Sequence, residues 1–162
     1  MSFKAAADVE FTDQTQGVLF AHGSRFGGHA LFVKGGQIFY VYNFLGLPPE
    51  YKLTGNAPAS GRHVVGVEFV KDKMGENNAM LGTAKLYLDD HELASAPIRT
   101  QMRFSLCGEG LCIGYDSGDA VSSEYKPRFD FTGGTLHKVV FDVAADAYLD
   151  LEKHLLAAIA RD

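Results

Sequence analysis

The stretch HALFVKGGQIFYVYN, residues 29–43, constrains this chain more than any other. Alternation with period two places His29, Leu31 and Val33 on one face of a strand, and Ala30 and Phe32 on the other. Gly35-Gly36 then supplies two consecutive residues that accept positive φ, which a two-residue type I′ turn demands at both central positions. The chain returns with Phe39 and Val41 on one face and Ile38, Tyr40 and Tyr42 on the other. Both faces are apolar or aromatic, so this ribbon is expected to lie centrally, between two layers.

The rest of the chain repeats that grammar. DVEF near Asp8 reads as a short first strand, and GVLFAH as a strand with Val18 and Phe20 on one face and Leu19 and Ala21 on the other. NFLGLPPEYKLTGNAPASG reads as a polar connection, because Pro48, Pro49 and Pro58 cannot donate to a ladder. RHVVGVEFV puts His63, Val65, Val67 and Phe69 on a common face, and KDKMGENNAM follows as a charged loop. GTAKLYLDDHELASAPI is a hairpin with Ala84, Leu86 and Leu88 pointing in and Asp89-Asp90 turning; TLHKVVFDV is a late strand. Helical spacing occurs only in YLDLEKHLLAAIARD, where Leu151, Leu155, Ala158 and Ile159 share a stripe, so a helix is predicted at about 149–161. With no internal repeat, residues 1–162 read as one all-β domain: a two-sheet jelly-roll sandwich with a C-terminal α-helix.

Composition narrows the function. The 162 residues are 46% hydrophobic and 22% charged, enough apolar material for a core without staples, and the formal net charge is −5 with no run of four basic residues. Nucleic acid is therefore not an expected partner. No apolar stretch approaches the ~18 residues that span a bilayer, and no basic start precedes an apolar block, so no membrane partner is expected and the sequence as written reads as cytoplasmic. That last reading lapses for a piece of a longer chain. Cys107 and Cys112, in SLCGEGLCIG, lack the second pair a zinc site needs and read as buried thiols.

Chemistry concentrates in AHGSRFGGHA. His22, Arg25 and His29 surround a glycine-rich connection, where an arginine fork and exposed backbone N–H groups could hold a sulfate or carboxylate. The plainer reading is a wide hairpin loop whose glycines take positive φ. Tyr42 and Asn43 combine an apolar ring with an amide and are candidate glycan contacts; Arg128 is a second candidate anion contact. YDSGDAVSSEY gathers Asp116, Asp119 and Glu124, carboxylates that calcium accepts on loops, so Asp116 and Asp119 are the candidate calcium ligands and calcium the one candidate cofactor. Hydrolytic chemistry finds no support: Glu68 has no carboxylate two residues away, and no Gly-x-Ser-x-Gly elbow is present.

Two stretches, GVLFAHGSRFGGHALFVKGGQIFYVYNFLG and FSLCGEGLCIGYDSGDAVSSEYKPRFDFTGGTLHKVVFDV, resemble the C-terminal region of large bacterial arylsulfatases, and the ending YLDLEKHLLAAIARD is similar to theirs. RHVVGVEFV and GTAKLYLDD resemble the laminin-G and concanavalin-like pattern. The resemblance implies an accessory domain that packs on a sulfatase catalytic core. It implies no sulfatase activity here, because neither cysteine begins the Cys-x-Pro-x-Arg motif that those enzymes convert to formylglycine. The sequence therefore points to a non-catalytic accessory or interaction domain, partnered by a sulfatase core or a second copy. The alternative is a stand-alone, lectin-like glycan-binding sandwich.

Overall fold

The computed structural model describes residues 1–101 and 110–143. The predicted helix at 149–161 and Cys107 lie outside the described residues. Among the described residues, ten strands form two five-stranded sheets, antiparallel at every pairing. The strands are β1 (Phe3–Phe11), β2 (Gly17–Ser24), β3 (Gly27–Lys34), β4 (Gln37–Asn43), β5 (Tyr51–Asn56), β6 (Gly61–Met74), β7 (Met80–Leu88), β8 (His91–Thr100), β9 (Leu111–Ile113) and β10 (Thr135–Val143). The first sheet runs β10-β1-β6-β7-β8 and the second β5-β4-β3-β2-β9.

The two sheets enclose the main core. Ala5, Ala7 and Val9 of β1 and Val65, Val67 and Phe69 of β6 face Leu31, Val33, Ile38 and Tyr40 of the second sheet. On the outer face of the second sheet lies a smaller core of Val18, Ala21, Ala30, Phe32 and Val41. Val121 and Tyr125 cover it from the connection between β9 and β10. The β3-β4 ribbon is thus buried on both sides, as its two apolar faces required. One covering layer is a sheet and the other an irregular segment. Gly35 and Gly36, at φ 57° and 74°, make the turn.

Four expectations need correction. The first strand is not four residues but nine. The connection after Asn43 contains β5, which opens after Pro48-Pro49 and pairs with β4. KDKMGENNAM is not a loop throughout: β6 continues to Met74 and only a 3₁₀ turn at Glu76–Asn78 separates it from β7. In β2, strict alternation fails because the register shifts between Val18 and Phe20. The bulge turns both Leu19 and Phe20 into the main core and sends Val18 and Ala21 to the outer one.

Charges decorate the outer face of the first sheet: Lys4 pairs with Glu68 at 3.0 Å and Lys85 with Glu92 at 3.2 Å. At its rim, His63 Nδ1 lies 2.8 Å from Asp89 Oδ2, and Nε2 is 3.2 Å from the Ser60 carbonyl. Asp89 Oδ1 accepts the Val64 N–H at 2.8 Å, which ties the β7-β8 turn to β6. Both ring nitrogens face acceptors, so the cationic imidazolium is favoured and the pKa is raised, chiefly by the Asp89 hydrogen bond. A raised folded-state value contributes stability that is complete below the unfolded pKa near 6.5 and is lost as pH rises through the folded value. Asp89→Asn is expected to flatten the decline of stability on the alkaline side of pH 6.5, read by urea unfolding across pH. An unchanged slope there would contradict the assignment.

Candidate functional site

The glycine-rich connection around Arg25 is not a wide loop but a two-residue turn, Arg25-Phe26, between β2 and β3. His22 and His29 are direct cross-strand partners, as are Gly23 and Gly28. The ladder therefore separates the residues that the sequence groups together. His22 and His29 point toward the inter-sheet side, whereas Arg25 at the tip reaches the opposite face. Tyr42 and Asn43, neighbours on β4, also part: Tyr42 joins the main core and Asn43 turns outward.

Arg25, Asn43 and Asp119 meet in a groove of about 700 Å³ on the outer side of the second sheet, where Leu47, Pro48 and Pro49 supply apolar wall beside the polar groups. Arg25 Nε lies 3.2 Å from Asp119 Oδ2, with both side chains largely in water, and the guanidinium sits 4.7 Å over the Phe26 ring. Asn43 is 5% exposed. Its Nδ2 donates to the Arg25 and Val121 carbonyls at 3.1 and 2.9 Å, and its Oδ1 accepts the Gly46 N–H at 2.8 Å. It is the peg of the groove: it fixes the tip of the β2-β3 turn, the bend after β4 and the covering segment at one point.

The covering segment is pinned by its own carboxylates and hydroxyls. Asp116 Oδ2 accepts the Tyr125 hydroxyl at 2.6 Å and the Val121 N–H at 2.9 Å, and the Asp116 residue is 1% exposed. Burial and that carboxylate push the Tyr125 hydroxyl pKa far up, so it stays a donor. Glu50 accepts the Ser122 hydroxyl at 2.8 Å and the Ser123 N–H at 2.7 Å. Glu124 takes both Lys34 and Lys52, and the Lys52 hydrogen bond is the main reason its pKa is lowered. Glu50, Lys52 and Ser122 were not singled out from the sequence: they sit in stretches that read as turn, and only the fold brings them beside Arg25. Asp116 and Asp119, the candidate calcium ligands, are both engaged with protein groups, and no cluster of three metal-ligating side chains occurs among the described residues. Arg128 lies apart, donating to Asp130 at 3.0 Å and stacking 4.5 Å over Tyr115. Cys112 is buried, with Sγ 3.4 Å from the Ser117 hydroxyl.

The two histidines belong to a different hollow, an apolar cleft of about 460 Å³ at one end of the sandwich. The His29 ring is ringed by Phe3, Phe20, Tyr40 and Tyr42 at centroid separations of 5.3–6.3 Å, with His22 at 5.8 Å. Its Nδ1 lies 3.3 Å from the Tyr40 hydroxyl. Burial, and secondarily the His22 charge, lower the His29 pKa to about 3, so the ring is neutral at physiological pH.

Solved structures share this architecture. The CBM40 of the Ruminococcus gnavus IT-sialidase, bound to α2,3-sialyllactose, superposes with a TM-score of 0.58 at 14% identity, over 97% of this chain and 82% of that one. The same module bound to α2,6-sialyllactose gives 0.56 at 16%, over 91% and 80%. The LG4-5 domains of the mouse laminin α1 chain give 0.56 at 12%, over 87% of this chain and 35% of theirs. The fold is a laminin-G-like β-sandwich. No family model and no curated protein matches the sequence, and nothing in these comparisons supports an arylsulfatase origin.

Proposed function

We propose that this chain is a non-catalytic, glycan-binding β-sandwich module, with the groove around Arg25 as its site. The observation that carries the reading is the make-up of that groove. Arg25, Asp119, Glu50, Lys52 and Ser122 line a concavity whose walls are fixed by the Asn43, Asp116 and Glu50 hydrogen bonds. Sugar hydroxyls both donate and accept, and carboxylates beside cations and hydroxyls offer both kinds of partner. Arg25 holds its carboxylate partner in solvent, where such a pair is worth at most about 1 kcal/mol, so a ligand carboxylate or sulfate can replace Asp119 at small cost. Support also comes from the structural neighbours, since two of them are carbohydrate-binding modules with a sialylated sugar bound.

The test is the melting temperature against a panel of sulfated, sialylated and neutral glycans, each with and without calcium. The calcium arm tests the reading of Asp116 and Asp119. A ligand at 100 times its Kd adds ~2.7 kcal/mol, a shift of roughly 5–10 °C for a chain of this length. Arg25→Ala is expected to leave the free-state melting temperature within about 2 °C while weakening the best ligand at least tenfold. A flat panel, or a shift that Arg25→Ala does not reduce, would overturn the assignment. One observation favours an interaction domain instead: Val64, Val70 and Val140 are 40–51% exposed on the outer face of the first sheet. A stable dimer in sedimentation, lost in Val140→Lys, would favour that reading.

A further inference from the structure

An unpaired sheet edge presents backbone N–H and C=O groups to whatever strand comes near, so proteins blunt their edges. Three of the four edges here are blunted in recognisable ways. β5 and β8 close one side of the sandwich against each other, with the Leu93 side chain lying where a Cβ on Gly55 would stand. β8 also carries Pro97, which has no N–H to donate. β9 is three residues long. The fourth edge, β10, has nine residues and no proline, and among the described residues no strand pairs with its outer side. Its one irregularity falls near its start: the register against β1 slips between Leu136 and Lys138, then runs unbroken from Lys138 to Val143.

Side chains alternate along that unbroken stretch. Val139 and Phe141 pack toward the main core, while Lys138, Val140 and Asp142 stand exposed on the outer face. The β1 neighbours of the two charges, Asp8 and Lys4, are already paired with Arg62 and Glu68, which leaves Lys138 and Asp142 only a longer-range attraction to them. A second copy of the strand answers both charges. Directly opposite residues of an antiparallel pair lie on one face, so two identical strands related by a two-fold axis must set one residue opposite itself. With Val140 at that point, Lys138 faces Asp142 of the second copy, Asp142 faces its Lys138, and Val139 faces its Phe141. No other centre within β10 opposes the two charges, and centring on Lys138 or on Asp142 sets like charges face to face. We propose that this chain forms a two-fold homodimer by antiparallel pairing of β10 with β10 of a second copy, in the register centred on Val140. The pairing joins two five-stranded sheets edge to edge, with main-chain hydrogen bonds supplying affinity and the Lys138–Asp142 pairs supplying register. It leaves Val64 and Val70, on β6, in solvent.

Sedimentation of the full chain across concentrations reads the dimer. Lys138→Asp opposes aspartates, and Asp142→Lys opposes lysines, at two symmetry-related places each. Either variant alone is expected to weaken the dimer at least tenfold. An equimolar mixture of the two variants restores every opposite-charge pair and should dimerise like the native chain, as should the double variant; melting temperatures confirm that each is folded. Four results would overturn the proposal. The native chain could stay monomeric up to ~1 mM, the concentration at which even a millimolar contact is half formed. The single variants could dimerise as well as the native chain. The mixture could do no better than its components. Val64→Lys could abolish the dimer, which would place the contact on the face of the sheet, where Val140 also stands, rather than at its edge. The Arg25 groove lies on the other sheet, so the glycan response stands or falls independently of these outcomes.

Discussion

Acidification from pH 6.5 is expected to destabilise this chain well before its carboxylates titrate, by up to about 1.4 kcal/mol per pH unit. The cause is His29. Folding takes its imidazole from water into a ring of aromatic side chains, and the pKa falls from 6.5 to about 3. The unfolded chain then binds a proton that the folded chain refuses. A depressed histidine therefore contributes stability that is whole above the unfolded value and is lost as pH drops below 6.5. The ring is partly open to the cleft, so solvent keeps the fall shallower than ideal linkage allows. Asp8, Asp89, Glu92 and Glu124 all have pKa values lowered by their ion-pair partners, so their own acid losses come below the ordinary carboxylate range. The loss that His29 causes falls in the window between pH 6.5 and 5. Urea unfolding across that window should show the slope in the native chain and a nearly flat line in His29→Gln, which keeps a polar group near Tyr40 but cannot charge. Equal slopes in the two proteins would show that His29 titrates normally in the fold. His63 works in the other direction and the other window, above pH 6.5, so the two histidines together shape a stability maximum near neutrality.

Asn43→Ala is expected to cost about 3 kcal/mol, a fall of roughly 6–12 °C in melting temperature. The substitution removes three hydrogen bonds at a residue 5% exposed and strands the Arg25 and Val121 carbonyls and the Gly46 N–H. Asn43→Asp should be no milder. It can still accept from Gly46, but it sets a carboxylate against two carbonyl oxygens where an amide had donated. Calorimetry of the two variants decides the matter. A loss below about 1 kcal/mol in Asn43→Ala would mean that water satisfies the three groups and that the groove is not built on this side chain. The contrast with Arg25→Ala separates roles: Asn43 holds the groove in shape, and Arg25, held by a solvent-exposed ion pair, can exchange Asp119 for a ligand.

Legibility from sequence followed locality. The Gly35-Gly36 hairpin, the β6 face of Val65, Val67 and Phe69, and the bounds of β10 were readable because alternation and turn chemistry act within a few residues. Alternation also misled where it was broken. The shift between Val18 and Phe20 has no marker in GVLFAH, since all four residues from Val18 to Ala21 are apolar and any phase fits. The prolines at 48 and 49 hid β5, whose pairing partner β4 supplied what local propensity withheld. At the site, Arg25, Asn43 and Asp119 were each chosen from sequence, but as members of three separate groupings. Their meeting, and the company of Glu50, Lys52 and Ser122, depends on a segment some 75 residues further on folding back over β2, β3 and β4.

The sequence by itself determined an all-β sandwich, its central hairpin and the faces of most strands, because a pleated strand leaves side chains only two directions and the apolar ones must be buried. Only the tertiary structure decided which polar residues share a hollow. The two-residue β2-β3 turn left Arg25 in water, the covering segment brought Asp119 and Ser122 beside Asn43, and the packing of the two sheets enclosed His29 in an apolar cleft. That division rests on long-range pairing and on the cost of burying a charge, and neither is written in the spacing of residues along the chain.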